Sequence, residues 1–360
     1  MPNVTAMGTH RRARAARSVA PDPGRLARKV TCDDNVVLVE TVCMSTNKHP
    51  DPARDMRPDS TTWPAYWRGV LEGSLIQDFR EALRLRSGMS VRASVIDDLC
   101  TYYGCDEAAC IDECVNWGLY FDEEWNAAAN AEAFHRTTRS SSFSLLWAAY
   151  CQAEGYMWPG PVGIAEIVQR AGVRSGEHLD FASGGGTTSQ LFARLGYRTT
   201  LADISTSMLD FVRFRFERRG TGATFIDLNT DALPLEAYDV ITAVDVLWVV
   251  SDPERTARAL HAALKPNGVL YANINPSASR EARWELHNDE LALRRMLHKT
   301  GFEPARRLPD AGTLYRKVMP SGPFRFYREC RDAILLSRLR TYYRRARDRV
   351  SVRSWRRHHG

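Results

Sequence analysis

Apolar residues recur at helical spacing over 71–85, 91–103, 107–117 and 143–154, and Gly88, Gly104 and Gly118 punctuate these stretches. A set of helices is therefore predicted ahead of residue 160. After Pro159 and Pro161 the rhythm changes. Short apolar runs near 178–182, 197–204, 223–228, 238–246, 268–274, 302–308 and 313–318 alternate with amphipathic stretches at 164–171, 189–195, 207–218, 254–264 and 285–298. Strands alternating with helices predict an α/β fold, a sheet of seven mostly parallel strands covered by helices on both faces. Residues 1–60 hold few periodic apolar positions apart from 36–42 and read as a flexible basic arm. Over 326–350, Ile334, Leu335, Leu339, Tyr342, Tyr343, Ala346 and Val350 share one helical stripe, with arginines on the other faces. The expected division is an arm (1–60), a helical cap or substrate domain (61–160), an α/β domain (161–318) and an Arg-rich helix and tail (319–360).

Length and composition sharpen this. At 360 residues, with 44% hydrophobic and 26% charged residues, the chain has room for two globular domains and excludes a wholly disordered or collagen-like one. The apolar run near 240–250 is broken by Asp245, short of the roughly 20 residues a membrane span needs. No apolar stretch follows the arginines of 11–17, so no secretory signal is expected and the predicted location is the cytoplasm. The net charge of +6 is uneven: residues 1–30 carry seven Lys/Arg and one acid, and residues 320–360 carry twelve Arg and three acids. The body between them is acidic, which removes nucleic acid as the default partner. The pair 91–103 and 107–115, joined at Gly104, has the outline of a helix-turn-helix. Its second helix, however, carries Glu107, Asp112 and Glu113 without Lys or Arg and would repel phosphate. Eight cysteines are too few for a disulfide scaffold. Cys100, Cys105, Cys110 and Cys114 cluster, but their spacing departs from paired metal knuckles, so they read as small buried thiols and no metal is expected.

The chemistry concentrates after the first strand. Asp180 is followed by Ala182, Ser183, Gly184, Gly185 and Gly186 and then by an amphipathic helix. Glycines let the backbone turn sharply and approach a ligand, and the helix start offers unsatisfied N–H groups. A nucleoside-like ligand is expected there. Asp203 closes the second strand, where a carboxylate accepts from both ribose hydroxyls, and Asp227 closes the third, within reach of an adenine amino group. Each acid alone also fits a capping role, but their placement at successive strand ends favours a shared ligand.

With these residues in place, 161–318 resembles the class I S-adenosylmethionine (SAM)-dependent methyltransferase family. Asp180 followed by Ala182, Gly184 and Gly186 fits the family's first motif, with alanine in place of the usual first glycine. The stretch from Tyr238 through Asp245 and Trp248 to Asp252 and Pro253, the run Leu264, Lys265, Pro266, Asn267, Gly268, and the pair Gly301, Phe302 fit later motifs. A dinucleotide-binding alternative fits less well: Ser189 stands where close packing favours glycine or alanine, and the closing strand pair around Gly312 resembles the methyltransferase sheet with its antiparallel strand. The resemblance implies a Rossmann-like fold and SAM as cofactor, held by Asp180, Ala182, Ser183, Gly184, Gly186, Asp203, Asp227, Leu228 and Asp245.

Methyl transfer from a sulfonium is an in-line displacement, so the protein mainly orients the partners and excludes water. Candidates around the acceptor are Asp245, Trp248, Asn273, Asn275 and His287, with Asp245 and His287 the catalytic ones. Trp63, Tyr66, Trp67, Trp147, Tyr150, Tyr156 and Trp158 form either an aromatic acceptor pocket or an ordinary core. The leading expectation is an enzyme methylating an oxygen, nitrogen or carbon of a small molecule in specialised metabolism. The alternatives are an RNA or protein methyltransferase recruited through the basic tails, and a non-catalytic SAM-binding regulator. The Arg-rich C-terminal segment is expected to dock on the body, with a polyanion or an anionic membrane surface as the weaker options.

Overall fold

A computed structural model describes residues 63–274, 286–287, 289–308 and 311–318. The arm expected over 1–60, the Arg-rich segment 319–360 and Asn275 lie outside these residues. Among the described residues, eight helices precede the sheet, the first seven being α1 (Ala65–Glu72), α2 (Leu75–Leu83), α3 (Val91–Tyr103), α4 (Glu107–Val115), α5 (Trp117–Ala127), α6 (Ala131–Thr137) and α7 (Ser140–Glu154). The chain continues as α8 (Gly160–Arg170), β1 (Gly176–Phe181), α9 (Thr187–Arg194), β2 (Tyr197–Asp203), α10 (Thr206–Arg218), β3 (Thr224–Asp227) and β4 (Tyr238–Ala243). It ends with α11 (Pro253–Ala263), β5 (Leu264–Ala272), α12 (Glu290–Lys299), β6 (Phe302–Leu308) and β7 (Gly312–Lys317).

Local signals set these bounds. Ser90 accepts from the Ala93 N–H to open α3, and Gly104, at φ 67°, closes it. Asp106 caps α4 and Asp252 caps α11, whose first residue is Pro253. The stretch expected as one helix over 71–85 is two, because α1 stops at Glu72 and Gly73 is extended. The helix expected from 285 begins at Glu290, where Asp289 accepts from Leu291 and Ala292. The strand expected over 238–246 stops at Ala243, since Asp245 turns into the left-handed region at φ 54°.

The strands lie in the order β3-β2-β1-β4-β5-β7-β6, parallel except for β7, which is antiparallel to both of its neighbours. The expected Rossmann-like sheet with one antiparallel strand is therefore present. From β1 the chain moves outward to β2 and β3, then returns to β4 on the other side. Their carboxyl ends diverge there, where such sheets bind ligands. Alternation splits the core. Val240, Val269 and Tyr271 pack with the N-terminal helices and α8–α10, whereas Ile241, Leu270 and Ala272 pack with Ala257 and Leu260 of α11 and Leu293 and Leu297 of α12. Each fully buried side chain of this size contributes about 1.5–3 kcal/mol, so the first cluster binds helices α1–α4 and α7 firmly to the sheet.

Of the two readings of the aromatic residues, burial favours the ordinary core. Trp63, Trp67, Trp147, Tyr150 and Tyr156 are buried in that core, and Trp67 stacks on Trp158 at 5.6 Å. Their helical spacing reflects packing. A Cβ at Gly163 would sit 2.9 Å from the Trp67 ring, which is how closely α8 approaches α1. Among the described residues, no helix is long and apolar enough to cross a membrane.

Candidate functional site

Between β1 and α9 the backbone alternates sharply, with φ of 56° at Ala182, 48° at Gly184 and 67° at Gly186. The Ala182 and Ser183 N–H groups donate to the Ala202 carbonyl at 2.7 and 3.3 Å, and the Gly186 N–H closes the turn onto the Ser183 carbonyl at 2.8 Å. Two of the glycines serve packing as well as ligand approach. A Cβ on Gly186 would lie 2.5 Å from Val212 of α10, and one on Gly185 would lie 2.9 Å from Leu146 of α7. Ala182 is the misfit, an L-residue held where glycine is relaxed, at a strain of about 1–2 kcal/mol. Ala182→Gly is expected to raise stability by about 1 kcal/mol after the added chain entropy of glycine, read as a higher urea midpoint at unchanged slope.

The three strand-end acids come together. Asp180 stands opposite Leu201 of β2, and Asp203 stands opposite Asp227 of β3. Asp203 feels the charge of Asp227, and Asp180 that of Asp203. Their environments differ. Asp180 is buried, accepts from the Ser189 and Thr242 hydroxyls at 2.7 Å each, and is pushed up to about 6 by burial. Asp203 accepts from the Gly184 N–H at 3.1 Å and the Ser205 N–H at 2.9 Å, and burial raises it despite these bonds. Each of its oxygens keeps a lone pair for another donor. Asp227 is half-buried and held below the usual carboxylate range by the backbone N–H and side-chain amide of Asn229, at 2.9 and 2.6 Å. It thus closes a turn in addition to facing the crevice. Leu228 donates its N–H to the Asp203 carbonyl at 2.9 Å and packs in the same cluster as Ala182. The Ser183 hydroxyl is buried without a hydrogen-bond partner among the described residues. An orphaned hydroxyl beside an open glycine turn fits a polar cofactor.

At the next strand end, Asp245 and Asn273 clasp each other. The Asp245 N–H donates to Asn273 Oδ1 and Asn273 Nδ2 donates to Asp245 Oδ1, both at 2.6 Å. Desolvation raises the Asp245 carboxyl even though part of the residue reaches solvent. His287 lies on a different partner. Its Nε2 donates to the Val250 carbonyl at 3.0 Å, and its N–H donates to the Trp248 carbonyl at 3.0 Å. A carbonyl only accepts, so Nε2 carries the proton and Nδ1 is the basic nitrogen. Trp248 is buried in the core cluster beneath α11 and α12.

Sequence reasoning passed over a buried ionic network behind the turn. Arg215 of α10 is fully buried, donates to the Gly185 carbonyl, to Gln190 Oε1 at 2.9 Å and to Asp98 Oδ2 at 3.2 Å. Asp98 of α3 also accepts from Arg218 at 2.8 Å and Arg219 at 2.7 Å. A signal existed: Arg215 falls on the stripe of Met208, Phe211 and Val212, and Asp98 on that of Val91 and Val95.

Comparison with known proteins agrees with this geometry. Residues 179–272 match the family described as a methyltransferase domain. The α/β portion is thus similar to methyltransferase domains over residues 179–272. A ubiquinone biosynthesis O-methyltransferase of Xanthomonas euvesicatoria pv. vesicatoria is 27% identical over 163 residues, covering 42% of this chain and 68% of the relative. Another, from Pseudomonas aeruginosa, is 29% identical over 124 residues, covering 33% of this chain and 53% of the relative. The chain thus spans about half to two thirds of the curated relatives it matches. Among solved structures, a SAM-dependent methyltransferase from Aquifex aeolicus is 16% identical, with a TM-score of 0.37, over 42% of this chain and 87% of that one. The methyltransferase match begins at Leu179 and so leaves helices α1–α8 outside it.

Proposed function

We propose that the protein transfers a methyl group from SAM to a small-molecule acceptor, with oxygen the favoured acceptor atom. The observation that carries this reading is the ladder of Asp180, Asp203 and Asp227 around a glycine turn whose Ser183 hydroxyl lacks a partner. The relatives named O-methyltransferases support oxygen over nitrogen or carbon.

When bound, SAM supplies an activated methyl group on a sulfonium. The chain then holds and orients. Asp203, fixed by the Gly184 and Ser205 N–H groups, accepts from the ribose hydroxyls. Asp227 and Leu228 would hold the adenine, Ser183 would donate its free hydroxyl to a polar group of the cofactor, and Asp180 would supply negative charge beneath the turn. Leu145 and Leu146 of α7 press on the glycine turn and help exclude water from it. Asp245, clasped by Asn273, shapes the acceptor side of the crevice. His287, with its proton fixed on Nε2, presents Nδ1 as the base for a hydroxyl acceptor.

Titration calorimetry with S-adenosylhomocysteine tests the reading. Binding of the wild type is expected in the micromolar range, about −8 kcal/mol. Asp203→Ala should weaken it by about 1–3 kcal/mol, through loss of a buried acceptor of charged character. A folded wild type that binds no S-adenosylhomocysteine would overturn the proposal.

A further inference from the structure

The cysteines that spacing alone assigned to the core come together in three dimensions. Cys100 sits in the last turn of α3, Cys105 in the turn that follows, and Cys110 in α4. Gly104 in the left-handed region and the Asp106 cap reverse the chain there, so α4 starts beside the end of α3. The Sγ atoms of Cys100, Cys105 and Cys110 all lie within 4.8 Å of one another. Cys114 lies one turn further along α4 from Cys110 and is buried as well. All four are free thiols.

From this convergence we infer that Cys100, Cys105 and Cys110, with Cys114 one helical turn beyond as the fourth donor to be tested, form a structural site for one soft divalent cation, zinc by the chemistry of its donors. A tetrahedral zinc site with bonds of about 2.3 Å to thiolate places its sulfurs about 3.8 Å apart, close to the observed cluster. Binding replaces each ligating S–H proton with a bond to zinc and releases that proton to solvent, with no change of oxidation state. Cys100 and Cys105 are half-buried and give the ion an approach, whereas Cys110 and Cys114 are buried and close the inner side. A site of three or four thiolates is anionic, and Arg139, held by Glu113 at 2.6 Å and lying over the Tyr103 ring at 4.8 Å, places a guanidinium nearby. The role is mechanical: the ion would pin the end of α3 to α4, and α3 carries Asp98. It does not depend on methyl transfer.

The test uses the reduced full chain with Cys32→Ser, Cys43→Ser and Cys330→Ser, which removes the cysteines outside the described residues. Zinc alone is the probe, followed by elemental analysis after gel filtration. One equivalent per chain is expected, and cobalt in its place should give thiolate-to-metal charge-transfer absorption. Cys105→Ser, at a half-buried position and shown by circular dichroism to be folded, should lose both the retained equivalent and the intensity of that band. A folded parent, by circular dichroism, that retains no zinc and shows no cobalt band would overturn the proposal. So would full retention by Cys105→Ser, or mass-spectrometric proof that the four thiols form disulfides in the purified protein.

Discussion

Asp98→Ala is expected to lower the unfolding free energy by about 3–5 kcal/mol, because it leaves the fully buried Arg215 guanidinium without its carboxylate. Only the Gly185 carbonyl and Gln190 Oε1 would remain to it. Arg215→Met should cost less, since Asp98 keeps Arg218 and Arg219 and the loss falls on two neutral acceptors. This ordering follows from the count of surviving partners, and equal costs would contradict it. Against a total stability of about 5–15 kcal/mol either loss is large, so denaturant unfolding is best followed at low temperature. The double variant, Asp98→Leu with Arg215→Met, should recover only part of the loss, because it removes the stranded Arg215 charge but leaves Arg219, nearly buried, with carbonyl partners alone. With Asp98→Leu as the matching single variant, the cycle measures the coupling between α3 and α10. It also bears on the site, since Arg215 fixes the carbonyl of the central glycine in the turn.

The sheet was legible because each strand is a short apolar run ended by a turn signal, and the acids at strand ends needed only that reading to fall in line. Residue 203 meets residue 227 across the β2–β3 register, a pairing that strand counting implies. What escaped was tertiary. Arg215 and Asp98 are 117 residues apart, and each looked like a polar residue on an ordinary helix. Likewise Cys100, Cys105 and Cys110 lie on two helices and a turn, so no single periodicity places them together. The aromatic residues before the sheet stayed ambiguous in the sequence, because core packing between α1, α7 and α8 produces the same helical spacing as a pocket wall. Helices α5 and α6 were missed because α5 buries no residue fully and α6 only Phe134, which leaves little apolar stripe to detect.

Asp180→Asn is expected to make the protein more stable and the cofactor site worse. Burial raises the folded Asp180 from the ordinary 3.8 to about 6, so the folded state holds this proton more tightly than the unfolded chain does. Below about pH 4 both states are protonated and the group is neutral in its effect. As pH rises from about 4 to about 6 the unfolded chain ionises first, and stability falls by about 3 kcal/mol in total. Asparagine removes that titration while its amide still pairs with the Ser189 and Thr242 hydroxyls, so the variant should unfold at higher denaturant near pH 7.5 and lose the slope between pH 4 and 6. Cofactor binding should move the other way. SAM carries an ammonium and a sulfonium, and a cationic ligand favours the ionised carboxylate, so affinity in the wild type should rise with pH through about 6. In Asp180→Asn both the affinity near pH 7.5 and its pH dependence should drop. A buried acid with a purely structural role would change stability alone, so calorimetric titration beside denaturant unfolding separates the two: a variant that gains stability and binds SAM unchanged would remove Asp180 from the site.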